Sequence, residues 1–239
     1  MNLLMFTGDE LQDENRLILK GHRLVHLANV LKVSPGDSLR VGRLNGKIGQ
    51  GRVEKLGTEE AWVTIESLDQ PPPAPLPVNL ILAVPRPKML KRVLQCATAM
   101  GVKHIHLINS YKVEKSFWAS PWLTEEKIRE NLVLGLEQAQ DTSLPEVHLH
   151  KLFKPFVEDV MPQLSAETRK LVAHPYTNTQ CPENLTEPTT LAIGPEGGFT
   201  DYEIGKFGEQ DFHTIKMGQR ILRVETAVPA LLAKLFPFS

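Results

Sequence analysis

The sequence has few cysteines and no long apolar run, and both absences narrow the classes of protein that it can encode. Its two cysteines, Cys96 and Cys181, are too few and too far apart for a disulfide scaffold or a zinc site. No apolar run approaches the roughly 20 residues needed to cross a bilayer. Residues 1–10 contain no basic stretch followed by an apolar core. We therefore expect a soluble, cytoplasmic protein.

Motifs of several common catalytic sites are also missing. The sequence contains no G-x-S-x-G, no H-E-x-x-H, no G-x-G-x-x-G, and no G-K-[ST] after a glycine-rich loop. These absences disfavour serine hydrolases, zinc proteases and enzymes that bind a phosphate in a glycine cradle. We expect no metal ion.

The composition is that of a folded protein with more than one domain. Of its 239 residues, 41% are hydrophobic and 23% are charged, which excludes global disorder. Five prolines in residues 71–77 form neither a helix nor a central strand, so we predict a stiff linker there. The predicted domains are therefore residues 1–70 and 78–239.

Residues 1–70 have the pattern of a small β-barrel. Short β-type runs are separated by turn signals such as Asn45-Gly46, and one amphipathic stretch, His22–Leu31, interrupts them. The predicted strands are Arg16–Leu19, Ser38–Val41, Ile48–Val53 and Ala61–Ile65.

Residues 78–239 alternate between apolar runs and helical periodicity, which predicts an α/β domain on a parallel sheet. The predicted strands are Val78–Val84, His104–Asn109, Glu146–His150, Leu171–His174, Thr190–Ile193 and His213–Met217. The predicted helices are Met89–Met100, Thr124–Gln140 and Glu225–Phe236. Because such sheets bind ligands beyond the carboxyl ends of their strands, the loops after the last three strands are the candidate sites.

The loop 194–200 follows one of these strands and has three glycines in its first five residues. Glycines let a ligand approach the backbone closely, and Thr200 or Asp201 can cap a following helix. The alternative is a tight strand-to-helix turn that binds nothing. We expect Asp201 and Glu203 to be exposed helix residues.

The segment 217–227 places two arginines and a glutamate between a strand and a helix. A desolvated arginine can stabilise an oxyanion or bind a phosphate, and a neighbouring carboxylate can orient it or accept a proton. The alternative is an ion pair that caps the last helix.

Charge is distributed unevenly along the chain. Residues 20–56 carry eight basic residues against two acids, and residues 86–115 carry seven against one. Residues 120–211 carry sixteen acids and seven bases. Separate positive and negative regions favour a polyanionic partner, although charges that merely cover exposed faces would give the same counts.

The two late loops together resemble those of the RsmE-type ribosomal RNA methyltransferases of the SPOUT superfamily. The matching motifs are LAIGPEGGFT at 191–200 and MGQRILRVETA at 217–227, and residues 26–37 match the PUA-like RNA-binding barrel of that family. The resemblance covers nearly the whole chain. It implies a PUA-like β-barrel followed by an α/β SPOUT domain with a deep trefoil knot.

The resemblance also implies a function. Members of the family transfer a methyl group from S-adenosylmethionine to N3 of a uridine in 16S ribosomal RNA and form homodimers. Carried onto this sequence, the cofactor contacts are Ala173, His174 and Pro175; Gly194, Pro195, Glu196, Gly197 and Gly198; and Met217, Gly218, Ile221 and Leu222.

Catalytic roles are hypotheses that the resemblance does not fix. Arg220 or Arg223 would stabilise the uracil oxygens, and Glu225 would orient an arginine or assist removal of the N3 proton. We expect Glu196 to shape its loop. The predicted RNA contacts come from the two basic segments: His26, Lys32, Arg40, Arg86, Lys88, Lys91 and Arg92.

The chain departs from the family pattern at three places. It has Ala139-Gln140-Asp141 where a small residue and Gly-Arg are usual, Ala99-Met100 where Glu-Leu is usual, and no arginine in residues 1–6. Two alternatives therefore stand beside the main hypothesis: a methyltransferase with another RNA target, and a non-catalytic RNA-binding factor of ribosome assembly.

Overall fold

The computed structural model describes residues 2–237, apart from the side chain of His22. The chain folds into two compact units. One contains the residues up to Pro73 together with Leu136–Leu144, and the other contains Ala74–Gly135 and the residues from Pro145 onward. Among the described residues, no helix has the length and apolarity needed to cross a bilayer.

The first unit is a five-stranded sheet. Its strands are β1 (Leu4–Phe6), β2 (Arg16–Leu19), β3 (Ser38–Arg43), β4 (Ile48–Leu56) and β5 (Ala61–Gln70), in the order β1-β3-β4-β5-β2. β1 pairs parallel to β3, and the other pairings are antiparallel. The four predicted strands are confirmed, and β1 is one that the sequence analysis does not predict.

Alternation of buried and exposed residues explains these strands. On β5, Ala61, Val63 and Ile65 are buried in a core with Leu17 and Leu19 of β2. β4 carries register shifts against β5, and a Cβ on Gly49 would lie 1.9 Å from the Ser67 carbonyl oxygen. Only glycine fits at this close approach.

The amphipathic stretch forms a short helix rather than a strand. Helix α1 (Gly21–Val25) continues as a π-helical turn, His26–Leu31, and ends at Lys32, which adopts the left-handed conformation. Residues 136–144 join this unit through the backbone: the Asn45 N–H donates to the Thr142 carbonyl at 2.7 Å. The departure at residues 139–141 therefore lies in a segment that completes the first unit.

The second unit is a six-stranded, fully parallel sheet. Its strands are β6 (Val78–Ala83), β7 (His104–Ile108), β8 (Glu146–His150), β9 (Arg169–Ala173), β10 (Thr189–Ile193) and β11 (His213–Ile215), in the order β11-β9-β10-β6-β7-β8. All six predicted strands are confirmed, with ends that differ by no more than two residues. β10 at the centre is buried throughout, as expected of a strand covered on both faces.

The longer helices are those that the periodicity predicts. They are α2 (Pro87–Ala99), α3 (Glu125–Ala139) and α7 (Val224–Leu235). The shorter helices are α4 (Phe153–Pro155), α5 (Met161–Leu164) and α6 (Asp201–Gly208). Helix α2 stops before Gly101, whose φ is +89°. Helices α4 and α5 flank a π-helical turn, Phe156–Val160, and the sequence analysis does not predict this segment.

Four histidines lie together on one face of β7 and β8. The parallel register places His106 opposite His148, and His106 Nδ1 lies 3.0 Å from Nε2 of His150. His106 is only 7% exposed. Burial first, and then the charges of His150, His148 and His104 in that order, together lower the pKa of His106 to about 3.

This cluster predicts weaker folding in acid. The unfolded His106, with an ordinary pKa near 6.5, binds a proton that the folded imidazole excludes, so stability is full above pH 6.5 and falls as the pH drops toward 3. One such group gives a slope of up to about 1.4 kcal/mol per pH unit. Urea unfolding between pH 7.5 and 4.5 should show a shallower decline in His106→Leu than in the wild type. The exposed-site control His213→Gln should keep the wild-type slope, and equal slopes in all three proteins would contradict the assignment.

Candidate active site

Three loops meet at the carboxyl ends of β9, β10 and β11. These strands are neighbours in the parallel sheet, so their carboxyl ends share one edge. The loops enclose a cavity of about 460 Å³. This volume is within the range of roughly 300–1,000 Å³ that is usual for small-molecule sites.

All twelve residues predicted to contact a cofactor line this one cavity. They come from the three separate loops: Ala173, His174 and Pro175; Gly194, Pro195, Glu196, Gly197 and Gly198; and Met217, Gly218, Ile221 and Leu222. The apolar side chains of Ile193, Ile215 and Leu231 also border the cavity. The site is therefore largely apolar, with polar groups at a few positions.

The loop 194–200, called the glycine loop below, accommodates a side chain poorly at each of its three glycines. Gly198 has a φ of +69°, which side-chain-bearing residues rarely adopt. A Cβ on Gly194 would lie 3.0 Å from the backbone nitrogen of Phe199, and one on Gly197 would lie 2.8 Å from Lys112 Cδ. The loop therefore packs against its own residue Phe199 and against Lys112 of another loop.

A buried carboxylate fixes the end of this loop. Thr200 is the N-cap of α6 and forms a reciprocal capping box with Glu203. The Glu203 carboxylate also accepts a hydrogen bond from the Tyr111 N–H at 2.8 Å, and the residue is only 2% exposed. The expectation that Glu203 is an exposed helix residue is wrong, because this carboxylate joins two loops; Asp201 is exposed as expected.

Glu196 connects the glycine loop to another helix. Its carboxylate accepts a hydrogen bond from the Arg86 N–H at 3.0 Å, and Arg86 is the N-cap of α2. A carboxylate at a helix N-terminus is favoured by the unpaired N–H groups there. This contact is consistent with a role in shaping the loop.

The cavity residues that the sequence analysis missed include Lys112 and Tyr176. Lys112 lies in the loop after β7, and its Nζ donates to the Gly197 carbonyl at 2.8 Å. Tyr176 lies in the loop after β9. The rule that ligands bind beyond the carboxyl ends of strands also applies to the loop after β7, so it was a signal for Lys112.

His174 is placed in the cavity wall by the backbone. Its N–H donates to the Ile215 carbonyl at 2.8 Å, and its ring meets that of Tyr176 edge-on at 5.6 Å. Burial lowers the pKa of His174, Asp201 opposes this change, and Lys112 adds to it. The imidazole is therefore mostly neutral at pH 7.

The structure separates the three residues predicted to be catalytic. Arg220 lines the cavity. Arg223 is the exposed N-cap of α7, and Glu225 lies half-buried in the first turn of that helix; neither lines the cavity. The position of Glu225 is the one that the helix-capping alternative requires.

The residues predicted to contact RNA fall in both units. In the first, Lys32 is exposed, His26 is partly buried, and Arg40 donates to Gln70 Oε1 at 2.9 Å. In the second, Arg86, Lys88, Lys91 and Arg92 lie at the start of α2. Lys91 stacks over the ring of Trp122 at 5.4 Å, while Lys88 and Arg92 are exposed.

The chain matches known proteins along nearly its whole length. A family model described as an RNA methyltransferase domain matches residues 72–235, and one described as an RNA methyltransferase PUA domain matches residues 19–66. The ribosomal RNA small subunit methyltransferase E of Treponema pallidum is 30% identical over 98% of this chain and 90% of its own length. The chain belongs to the ribosomal RNA small subunit methyltransferase E family.

Other members and solved structures agree with this family assignment. The family member of Synechocystis is 27% identical over 93% of this chain and 73% of its own length. A Legionella pneumophila protein solved with the cofactor SAM has a TM-score of 0.76 at 24% identity, covering 97% of this chain and 95% of its own. The small subunit methyltransferase E of Neisseria gonorrhoeae, bound to S-adenosyl methionine, has a TM-score of 0.72 at 23% identity with the same coverage. These two structures show that the fold is shared.

The buried carboxylate of Glu203 yields a stability prediction. Glu203→Ala leaves the N–H groups of Thr200 and Tyr111 without their acceptor, so we expect a loss of about 3 kcal/mol in the free energy of unfolding. The control Glu209→Ala removes an exposed partner of Lys206 and should cost less than about 0.5 kcal/mol. Urea unfolding measures both, and similar losses would show that burial of Glu203 carries no weight.

Proposed function

We propose that this chain is a methyltransferase that uses S-adenosylmethionine to methylate N3 of a uridine in 16S ribosomal RNA. The observation that carries the proposal is the convergence of twelve predicted cofactor contacts, from three loops, on one cavity. Membership of the small subunit methyltransferase E family supports it. The solved relatives contain S-adenosyl methionine, which is the same cofactor.

The residues of the cavity fit this cofactor. The glycine loop brings backbone to the cavity surface, which suits a ligand held by main-chain groups. The apolar wall suits an adenine ring and an aliphatic chain, and the carboxylates of Glu196 and Asp201, which border the cavity, suit the cationic groups of such a ligand. S-adenosylmethionine supplies an electrophilic methyl group on a sulfonium.

The chain must then handle the substrate's proton and charge. Neutral uridine carries a proton on N3, and its loss places negative charge on the two uracil carbonyl oxygens. Arg220 lines the cavity, and we assign its guanidinium as the charged donor to this anion. The same geometry gives no support to Arg223 or Glu225 in direct contact. Arg223 as a second donor and Glu225 as an aid to proton removal therefore stand only as hypotheses from sequence.

RNA binding is assigned to both units. The match to a PUA domain of RNA methyltransferases covers residues 19–66, which include His26, Lys32 and Arg40. In α2, Arg86 and Lys88 place positive charge at a helix N-terminus, where it opposes the helix dipole and no acid occupies the first turn. Positive charge kept at such a place suits phosphate binding.

The resemblance extends the proposal to architecture. We propose a PUA-like barrel in residues 1–70, a linker at 71–77 and a SPOUT domain at 78–239 with a deep trefoil knot in its cofactor loops. We also propose a homodimer without a metal ion, located in the cytoplasm because ribosomal subunits are there. The alternative of a non-catalytic assembly factor gains no support from a cavity that all twelve of these residues line.

Transfer of labelled methyl groups tests the proposal. Purified protein with labelled S-adenosylmethionine and small ribosomal subunits from a methylation-deficient strain should label 16S ribosomal RNA, with the mark on N3 of one uridine by mass spectrometry. Label on another RNA would favour the alternative target. No label, together with RNA binding, would favour the assembly factor.

Gly197→Val should separate cofactor binding from folding. The new Cβ would lie 2.8 Å from Lys112 Cδ beside the cavity. The exposed lysine can move aside, but the valine side chain would then occupy the cavity surface where the backbone should approach the ligand, so affinity for S-adenosylmethionine should fall by roughly tenfold or more in calorimetry. The matched control Gly205→Val adds the same side chain in α6, where a Cβ meets nothing within 4 Å, and should bind normally. Unchanged affinity in a folded Gly197→Val protein would remove the glycine loop from the site.

Arg220 and Arg223 should differ in catalysis. If Arg220 stabilises the uracil anion, Arg220→Ala should lower the single-turnover methylation rate by about 10²–10³-fold, with little change in the affinity for cofactor or RNA. Arg220→Lys should recover little, since an ammonium lacks the planar fork. Arg223→Ala should remain near the wild-type rate, because Arg223 lies outside the cavity. Equal losses in the two alanine variants would contradict this division.

A further inference from the structure

Two side chains that border the cavity are exposed to solvent and belong to different loops. Tyr176, after β9, borders the cavity and is 79% exposed. Lys112, after β7, borders the same cavity and is also exposed.

Lys112 is held in place by its neighbours. The N–H of Tyr111 donates to the buried Glu203 carboxylate, and Val113 is buried, so the backbone on both sides of Lys112 is fixed. Its aliphatic stem crosses Gly197 closely, as the 2.8 Å separation from a Cβ there shows. The ammonium is therefore presented at one point of the cavity rim.

The present partner of that ammonium is a neutral group. Lys112 Nζ donates to the Gly197 carbonyl, and among residues 2–237 no carboxylate forms an ion pair with it. The Gly197 carbonyl oxygen carries only a partial negative charge, whereas a phosphate oxygen carries a full one and attracts the ammonium more strongly. An arriving phosphate would therefore compete well for Lys112.

Tyr176 offers the complementary group. Its ring is braced edge-on by His174 at 5.6 Å, which leaves its exposed surface toward solvent beside the cavity. Bases that are modified enzymatically must leave the helical stack, and single-stranded RNA is recognised by stacking on aromatic side chains. A cation and an aromatic ring on one rim suit one nucleotide.

We propose that Tyr176 and Lys112 form the receiving rim for the target nucleotide, in which Tyr176 stacks on the uracil ring and Lys112 binds the adjacent phosphate. This proposal rests on the proposed function, since it names the residues that hold the RNA at the cofactor cavity. It assigns no bond-breaking step to either residue.

Direct binding tests the rim without relying on methyl transfer. The probes are a fluorescein-labelled decauridylate and an abasic strand of the same length. By fluorescence anisotropy, Tyr176→Ala should weaken binding of decauridylate on the order of tenfold and leave binding of the abasic strand unchanged. Tyr176→Phe should bind both as the wild type does, because its ring is kept. The control Tyr202→Ala removes a tyrosine that is 59% exposed but does not border the cavity, and should change neither affinity.

Lys112→Gln should behave differently from Tyr176→Ala. It should lower the affinity for both strands equally. It should also reduce the slope of log affinity against log salt by about 0.7, the value for one single-strand phosphate contact. Lys112→Arg should restore the slope. The control Lys115→Gln, in the exposed turn that follows, should keep it.

Three outcomes would overturn the proposal. If Tyr176→Ala lowers the affinity for both strands equally, stacking of Tyr176 on a base is excluded. An unchanged salt slope in Lys112→Gln would exclude the phosphate contact. Weaker S-adenosylmethionine binding by Lys112→Gln without any effect on RNA would assign the lysine to the cofactor instead. The proposed function fails if the wild type binds RNA but neither binds S-adenosylmethionine nor transfers label. The RNA affinities of the Tyr176 and Lys112 variants would still show whether these two residues bind RNA.

Discussion

The parallel pairing of β9 with β10 and β11 is the constraint on which the candidate site depends. Because neighbouring parallel strands end at one edge of the sheet, loops that are about 20 residues or more apart in sequence are brought together there. β10 is buried along its whole length, so its register is fixed by burial on both faces. The position of the glycine loop therefore follows from the sheet and not from the loop itself.

A second constraint is the carboxylate of Glu203. A carboxylate accepts several hydrogen bonds and donates none, so it can join two sets of backbone N–H groups that have no partner in their own loops. Here it serves Thr200 at the start of α6 and Tyr111 after β7, across 92 positions of sequence. Burial makes a carboxylate necessary at this position, because an N–H group left without an acceptor in a dry site costs more free energy than the hydrogen bond itself contributes. The glycine loop and the loop after β7 are thus one structural feature.

Local pattern predicted most of the second unit. A continuous apolar run identified β6, strand-like segments identified the other five parallel strands, and the period of apolar residues identified α2, α3 and α7. The short β1 was missed because three residues give no periodicity to measure, although all three are buried. The π-helical segment after β8 was missed because its bonding departs from the 3.6-residue period.

The parts of the site that are formed within a single loop were predicted from the sequence. All twelve cofactor residues carried over from the resemblance line the cavity, and each lies at the carboxyl end of a predicted strand or in the loop after it. Lys112 and Glu203 escaped because their roles exist only between loops: a lysine after a strand and a glutamate in a first helical turn are each ordinary alone.

The separation of the two arginines follows from where the chain turns into α7. Arg223 is the N-cap, so its backbone is extended while Val224 begins the helix and is buried. A side chain at this junction extends outward from the helix start, whereas Arg220, three residues earlier, is still in the loop that borders the cavity. Spacing alone left open whether the two arginines share a face, because that depends on the residue at which the helix begins. The start of one helix therefore divides two residues that look equivalent in sequence, and this gives Arg220 the stronger case for contact with the substrate.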